Sequence, residues 1–524
     1  MIKAHYPVVI VGAGPTGMTA ATLLAQYGIE TLVMDRWDRA YPQPRAVHLD
    51  DEVYRIVARL GLADDFARIS RAGRGLRLVD REMTVLAEFS RECERGVHGF
   101  PQANMFDQPE FEDLLRSRIS QYSGLHLRGN SEVTAVSDNR DCVLVKFTDR
   151  DSGEPRFVRA DYVLGCDGAN SIVRSSIGSR MQNLGFDQRW LVVDIATDAD
   201  LHQWEGVHQV CDPVRAATYM RIGPDRYRWE FRLPQDESAA NYADITALRP
   251  LIDPWAAHLA DSDLKLVRVA DYVFRAQVAD RWRDRRVFLL GDSAHLTPPF
   301  IGQGMGAGLR DAANLVWKLT GVLDGTFDAD CLDSYQQERK PHARHMIRLA
   351  MGIGRVMTEG GEIGNVARRR IAPLLGRVPG VRTKVTDSVT PALRRSVFVH
   401  RIVGGRGLDG TLCPNLALSS HSNRLDDATP PRFLFVTGIE PSVEQRYEIE
   451  RRGAVVVLAP QGTNLGDWLA QGNVVAAIVR PDRTVMQSNR SLSALYTELP
   501  TFTATIEDWE QGKNTAQIGK DPSG

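Results

Sequence analysis

The chain is poor in cysteine, and the few it has are scattered. Cys93, Cys142, Cys166, Cys211, Cys331 and Cys413 include no pair at CxxC spacing. That pattern excludes a zinc ribbon, a dithiol redox site and a disulfide framework, and no metal is expected. Long hydrophobic runs are missing as well. The apolar stretch Val8 to Val11 breaks at Gly12, far short of a signal or membrane segment. Neither sign of charge dominates: the formal net charge is -2 and no basic block stands out, so a nucleic-acid surface built on bulk charge is excluded. There is no internal repeat and no low-complexity tract. A cytoplasmic protein without membrane contact is expected. The remainder is ordinary globular composition, 43% hydrophobic and 25% charged over 524 residues, a length that suggests about three domains.

What is present begins at the N-terminus. The β-branched run Tyr6 to Val11 ends in Gly12, Gly14 and Gly17 of a GxGxxG, followed by a helical pattern from Met18 to Tyr27. A second strand, Thr31 to Met34, ends at Asp35. Strand, glycine turn, helix, strand and acid in that order form a dinucleotide-binding unit. The glycines let a pyrophosphate approach the helix N-terminus, and Asp35 would accept hydrogen bonds from ribose hydroxyls.

Two further strands end in acids. Tyr162 to Gly165 runs into Cys166, Asp167 and Gly168, and Val287 to Leu290 runs into Gly291 and Asp292. After the second come two prolines, glycines at 302, 304, 306 and 308, and a helical face of Leu309, Ala312, Ala313, Val316 and Leu319. This places a carboxylate and a helix N-terminus at one site, which suits an anion. Arg45 and His48 occupy a loop just past the second strand, near the carboxyl edge of the sheet, where ligands bind in such folds. Gln108 and Pro109 open a helix.

From about Gly185 to Asp280 the texture becomes alternating strands, with Gly223 to Arg226 as a hairpin turn between Ala217 to Ile222 and Tyr227 to Leu233. Tyr219 and Arg221 share one strand face, and Tyr227, Trp229 and Phe231 share another. Such a face floors an aromatic pocket or packs the sheet against helices. Leu332 to Leu349 reads as helix that Pro341 kinks or divides, and Val356 to Arg395 as more helix with arginine-rich connections. Beyond a break between Gly404 and Arg432, the strands Phe433 to Val436, Ala454 to Leu458 and Val474 to Val479 alternate with helices near Val443 to Arg452 and Gly466 to Ala470. They form an α/β unit of about ninety residues.

The GxGxxG with Asp35, the CDG at Cys166 to Gly168 and the GDSAH at Gly291 to His295 resemble the signatures of FAD-dependent, single-component aromatic hydroxylases. YPQPRAVHLDDE, FPQANMFDQPEFE and GDSAHLTPPFIGQGMGAGLRDAANLVWKL resemble most the 3-(3-hydroxyphenyl)propionate hydroxylase branch. The resemblance implies an α/β fold: a Rossmann-type FAD-binding domain interleaved with a β-sheet substrate domain, plus a thioredoxin-like C-terminal domain without CxxC. The implied division is 1–184, with a substrate-domain insertion near 75–110, then 185–280, 281–395 and 396–524. It implies that Gly12, Gly14 and Gly17 bind the FAD pyrophosphate and Asp35 the ribose, with Arg36, Arg45, Gln108 and Asp167 as further cofactor contacts. Asp292 would hold the ribityl chain, and Pro298 to Gly304, including Gly302 and Gly304, would border the flavin ring beside Met305.

The implied reaction uses NADH or NADPH as dissociable co-substrate and O2. It hydroxylates a phenolic acid or related phenol through a flavin C4a-hydroperoxide. His48, Tyr219 and the Pro298 carbonyl are candidates to draw the phenol's proton away, and Arg221 to pair with a substrate carboxylate. A polyketide or antibiotic-type aromatic hydroxylase, an FAD oxidoreductase without oxygen insertion and a non-enzymatic FAD scaffold are the alternatives. A homodimer is left open.

Overall fold

Four β-α connections turn back on one parallel sheet, and their ends define the site. The computed structural model describes residues 3–40, 45–91, 94–358, 390–401, 407–418, 423–504 and 506. The first sheet carries, side by side and parallel, Leu125–Arg128, Thr31–Met34, His5–Val11, Pro155–Gly165 and Val287–Leu289. The strand His5–Val11 is central and apolar on both faces, as a parallel strand covered by helices has to be. Because the strands are parallel, Gly12, Asp35, Asp167 and Asp292 emerge at one edge of the sheet. Ser131–Asp138 and Val143–Asp149 add an antiparallel meander on the long strand Pro155–Gly165.

The second sheet has eight strands in the order His295–Leu296, Lys265–Ala279, Met181–Ala196, Arg226–Arg232, Ala217–Arg221, Val207–Val210, Gly75–Val79 and Val85–Ser90. It therefore takes strands from separate stretches of the chain, at 75–90, 181–279 and 295–296, interleaved with those of the first sheet. One face packs under the helix Ile245–Ala256, where Leu191, Val193, Tyr219, Trp229, Phe231 and Trp255 form a separate core. The other face looks back at the loops of the first sheet.

The helix Gly304–Leu323 lies between the first sheet and the C-terminal unit and packs on Pro15–Gln26. Pro341 does not divide its neighbour: Asp333–Thr358 is one helix with Pro341 inside. The helical reading of Val356 to Arg395 falls largely on 359–389, outside the described residues. The C-terminal sheet has the order Val455–Leu458, Leu434–Thr437, Ala476–Val479, Val485–Asn489, with the first pair parallel and the others antiparallel. Among the described residues no helix is long and apolar enough to cross a membrane.

Candidate active site

The glycine turn is built for close approach. Gly12 has φ +104, and a Cβ there would stand 2.3 Å from the Cys166 carbonyl oxygen. A Cβ on Gly14, by contrast, would meet nothing within 4 Å, so open space lies over the N-terminus of Pro15–Gln26. Gly17 closes the turn against the Gly12 carbonyl. Asp35 braces it, accepting the Ala13 N–H at 2.7 Å and the Trp37 N–H at 2.8 Å. Arg36 is exposed, and its carbonyl accepts from Arg150 at 2.9 Å.

A strap formed by residues 45–49 crosses this edge. The Gln108 side-chain oxygen accepts the N–H groups of Arg45 at 2.8 Å and Ala46 at 2.6 Å, and its amide donates to Glu112 at 2.6 Å. The Arg45 carbonyl accepts from Arg228 at 3.2 Å. Arg228 is itself held in a bidentate pair with Asp194, at 2.6 and 2.9 Å, both side chains buried. Strap and second sheet are thus one hydrogen-bonded unit.

The residues facing the enclosed edge are under-satisfied. Asp167 accepts from Val173 N–H at 3.1 Å, but its other oxygen is buried without a partner, and burial raises its carboxyl's pKa. Asp292 takes no hydrogen bond from any described side chain; burial raises its pKa and the Arg45 guanidinium opposes that rise. Tyr272, on the long strand Lys265–Ala279, also senses Asp292 and Arg45, and burial raises its phenol's pKa. Open space at Gly14, an orphaned Asp167 oxygen and an unbonded Asp292 fit a bound dinucleotide, with phosphate at the helix end and hydroxyls at the acids.

The loop Pro298 to Gly302 completes the wall. Gly302 has φ +63, and its carbonyl lies 3.4 Å from His48 Nδ1. Arg91 Nη1 lies 3.3 Å from the other ring nitrogen, Nε2. A carbonyl only accepts and a guanidinium only donates, so His48 is neutral with its proton on Nδ1. Burial and the Arg91 charge push its pKa down to about 4. Gln209 donates to the Phe300 carbonyl at 3.1 Å and so ties this loop to the second sheet, while its own oxygen is buried unpaired. Gln303 donates to Asp50 at 2.7 Å and accepts from Arg310 at 2.8 Å.

The four alternate glycines divide by role. Gly302 turns the loop and a Cβ on Gly304 would touch Thr297 without strain, at 3.8 Å, whereas a Cβ on Gly306 would press Val53 and one on Gly308 would press Thr16. Met305 is partly buried against the main core. Behind them, Asp311 accepts from Gly291 N–H at 3.1 Å, contacts His295 Nε2 at 2.8 Å and pairs with Arg339 at 2.9 Å.

Two expected roles meet a different geometry. Tyr219 pairs across the ladder with His208 and stacks on Trp255 at 5.6 Å, on the face turned away from the loop that Gln209 holds. It belongs to the outer core, and burial raises its phenol's pKa well above the usual value. Arg221 is occupied by the Gly223 and Pro224 carbonyls and by Glu205 at 3.2 Å. Alternation puts Met220 and Arg228 on the inner face instead, where Val47, Met105, Met220 and Ile222 cluster. Pro298 is buried, and its carbonyl accepts from no described residue. Sequence reasoning missed Gln209, Tyr272, Arg91 and the Asp50 to Arg310 pair. Of these only Asp50 carried a local signal, as the acid preceding a helix, where it caps the Val53 N–H at 2.8 Å.

A parallel α/β sheet with a glycine turn, acids at its carboxyl edge and an antiparallel sheet closing over them defines a dinucleotide-binding core with an adjoining ligand site. Residues 5–350 match the family of the FAD binding domain. A probable NADH-specific resorcinol 4-hydroxylase from Rhodococcus jostii (strain RHA1) is 40% identical over 507 residues, covering 93% of each chain. A 3-(3-hydroxy-phenyl)propionate/3-hydroxycinnamic acid hydroxylase from Burkholderia cenocepacia (strain HI2424) is 35% identical over 433 residues, 82% of this chain and 78% of that one. The crystal structure of the flavin-dependent monooxygenase PieE in complex with FAD and substrate superposes with a TM-score of 0.80, covering 97% of this chain and 99% of that one at 23% identity, which shows the shared fold. The chain belongs to the FAD binding domain family of aromatic hydroxylases and is an FAD-dependent aromatic-ring monooxygenase.

Proposed function

We propose that the chain hydroxylates an uncharged dihydric phenol of the resorcinol kind, using NADH and O2. The observation that carries this is the character of the second sheet's inner face. Beside His48, Met220 and Ile222 of that face cluster with Val47 of the strap and with Met105, while Arg228 is committed to Asp194 and Arg221 to its own turn. A neutral ring suits such a wall, and a substrate carboxylate could take Arg228 only by breaking its buried pair with Asp194. The similarity to the NADH-specific resorcinol enzyme supports the same reading. One observation favours a phenolic acid instead: Arg91 stands beside His48 Nε2 and is a guanidinium within reach of the strap.

When bound, FAD supplies the passage of electrons from NADH and the activation of O2. The residues provide its setting. Gly12, Gly14 and Gly17 would admit the pyrophosphate, and Asp35, Asp167 and Asp292 would take the hydroxyls. The Gln108 and Arg228 bonds hold the strap down against water, which keeps reactive oxygen from being lost to the solvent. His48, neutral and engaged on both nitrogens, fixes Gly302. The Pro298 carbonyl is left as the acceptor that orients the phenol hydroxyl. The C-terminal unit is read as thioredoxin-like, supported by its strand order and by the alternation of Leu434–Thr437, Val443–Arg451, Val455–Leu458, Asn464–Gln471, Ala476–Val479, Val485–Asn489 and Leu492–Leu495.

The test is NADH oxidation and hydroxylated product measured with resorcinol and with 3-(3-hydroxyphenyl)propionate. Coupled product from resorcinol at the higher kcat/KM is expected. Coupled turnover of the propionate with none from resorcinol would transfer the assignment to the Arg91 reading.

A further inference from the structure

Between the helices of the first sheet's side and the C-terminal unit lies a cavity of about 340 Å³, lined by no residue of the strap 45–49 and none of the second sheet. Its walls come from Asp51–Arg59, Gly304–Leu323 and Asp333–Thr358 on one side, and from segments near 390–393, 410–415 and 482–484 on the other. That volume is in the range of small-ligand sites.

The charges lining it do not cancel. Each carboxylate is taken: Glu52 by Arg310 at 2.9 Å, Asp426 by Arg55 and Arg483, Asp427 by Arg424 and Asp482 by Arg480. Arg339 is paired with Asp311. Arg59 is the exception among the described residues. Its guanidinium donates to two neutral oxygens, the Pro481 carbonyl and the Tyr27 hydroxyl, each at 2.9 Å, and its Nε is buried with no partner. Of five N–H donors, three are left, and no carboxylate pairs with the charge.

His342 adds a directed donor. Its Nδ1 lies 3.1 Å from Arg339 Nη1 and therefore accepts, which leaves the proton on Nε2 in a ring that lines the same cavity. Burial and the Arg339 charge hold this imidazole neutral. Ile56, Phe100, Leu393 and Leu412 add apolar surface between these donors and the paired charges. An unpaired guanidinium fork, a neutral N–H and the apolar side chains of Ile56, Phe100, Leu393 and Leu412 match a small ring bearing one carboxylate.

We propose that this interdomain cavity is a binding site for a small cyclic monocarboxylate, held by Arg59 and His342 and separate from the phenol site. The test uses the FAD-loaded full chain and 4-bromobenzoate. In soaked crystals a bromine anomalous peak is expected inside the cavity, with the carboxylate on Arg59; no peak there, or bromine only beside the second sheet, overturns the proposal. In solution, calorimetry with saturating resorcinol occupying the phenol site is expected to show one site. Arg59→Met should weaken it at least about tenfold while leaving phenol-stimulated NADH oxidation unchanged. Equal affinity in Arg59→Met, or inorganic phosphate binding as tightly as 4-bromobenzoate, overturns it too. Should Arg59→Met fail to fold, His342→Phe takes its place: a tenfold loss with bromine in the cavity of the wild type upholds the site, and unchanged affinity overturns it.

Discussion

Replacing Asp194 with Asn tests whether the second sheet and the strap are one unit. Arg228 is 1% exposed and Asp194 0%, so Asp194→Asn leaves a guanidinium buried without its bidentate partner. Breaking a buried pair on one side costs about 3 to 5 kcal/mol. Glu230 moderates this: its carboxyl, pushed up to about 6 by burial, is ionised at pH 8 and also feels the Arg228 charge. The expected loss is therefore near the lower end, about 3 kcal/mol. Because Arg228 also donates to the Arg45 carbonyl, FAD should leave the variant more readily. The assay is urea unfolding at pH 8 of FAD-loaded and FAD-free chain, followed by fluorescence of the buried Trp190 and Trp229. Removing both charges with Asp194→Leu and Arg228→Met leaves no unpaired guanidinium, so the double variant should be more stable than the single one, although Glu230 loses the Arg228 charge and the Arg45 carbonyl its donor. A single variant as stable as wild type, or a double variant worse than the single, would refute the reasoning.

The remaining predictions concern the turn, the strap histidine and acid stability. Gly14→Ala adds a methyl where no protein atom lies within 4 Å, at a permitted φ of -76, so the FAD-free chain should melt as wild type does. Its FAD affinity should nonetheless fall at least about tenfold by fluorescence titration, and wild-type affinity would show that the open space is not the pyrophosphate's. His48→Ala should keep FAD but release more hydrogen peroxide per NADH, since Gly302 loses its tether; fully coupled turnover would remove His48 from the loop's support. No ionisation of His48 should appear in the kcat/KM profile between pH 6 and 9, because its pKa lies at about 4. His208 accepts from Trp255 at 3.1 Å, and burial lowers its pKa from 6.5 to about 4. A depressed folded value means that its stabilisation is complete above pH 6.5 and is lost as pH falls toward 4, by about 3 kcal/mol. His208→Gln should remove that share of the slope, which denaturation at several pH values would reveal.

Local chemistry made the first sheet legible. The run Tyr6 to Asp35 contains its strand, turn, helix and acid within one connection, and the structure has His5–Val11, Pro15–Gln26 and Thr31–Met34 there. The hairpin around Gly223 to Arg226 was legible for the same reason. The second sheet was less so. Period-two alternation says that Tyr219 and Arg221 share a face, but not which face turns to the flavin side; that depends on where Ile245–Ala256 packs. The long strand Met181–Ala196 hides its alternation behind register shifts at Asn183/Asp187 and Asp194/Ile195. Pro341 reads as a divider because helix propensity counts the lost N–H, whereas packing carries Asp333–Thr358 through it. Gln209, Arg91 and Tyr272 matter through partners far along the chain, and no local pattern marks such pairs.

The central claim is that this chain inserts oxygen into a phenol rather than only passing electrons through FAD. Turnover of resorcinol with NADH under isotopically labelled O2, followed by mass spectrometry of the product, tests it most directly. The account predicts one labelled oxygen atom in each product molecule, with product matching NADH consumed. NADH oxidation that yields hydrogen peroxide or unlabelled product with every phenol tried would contradict it.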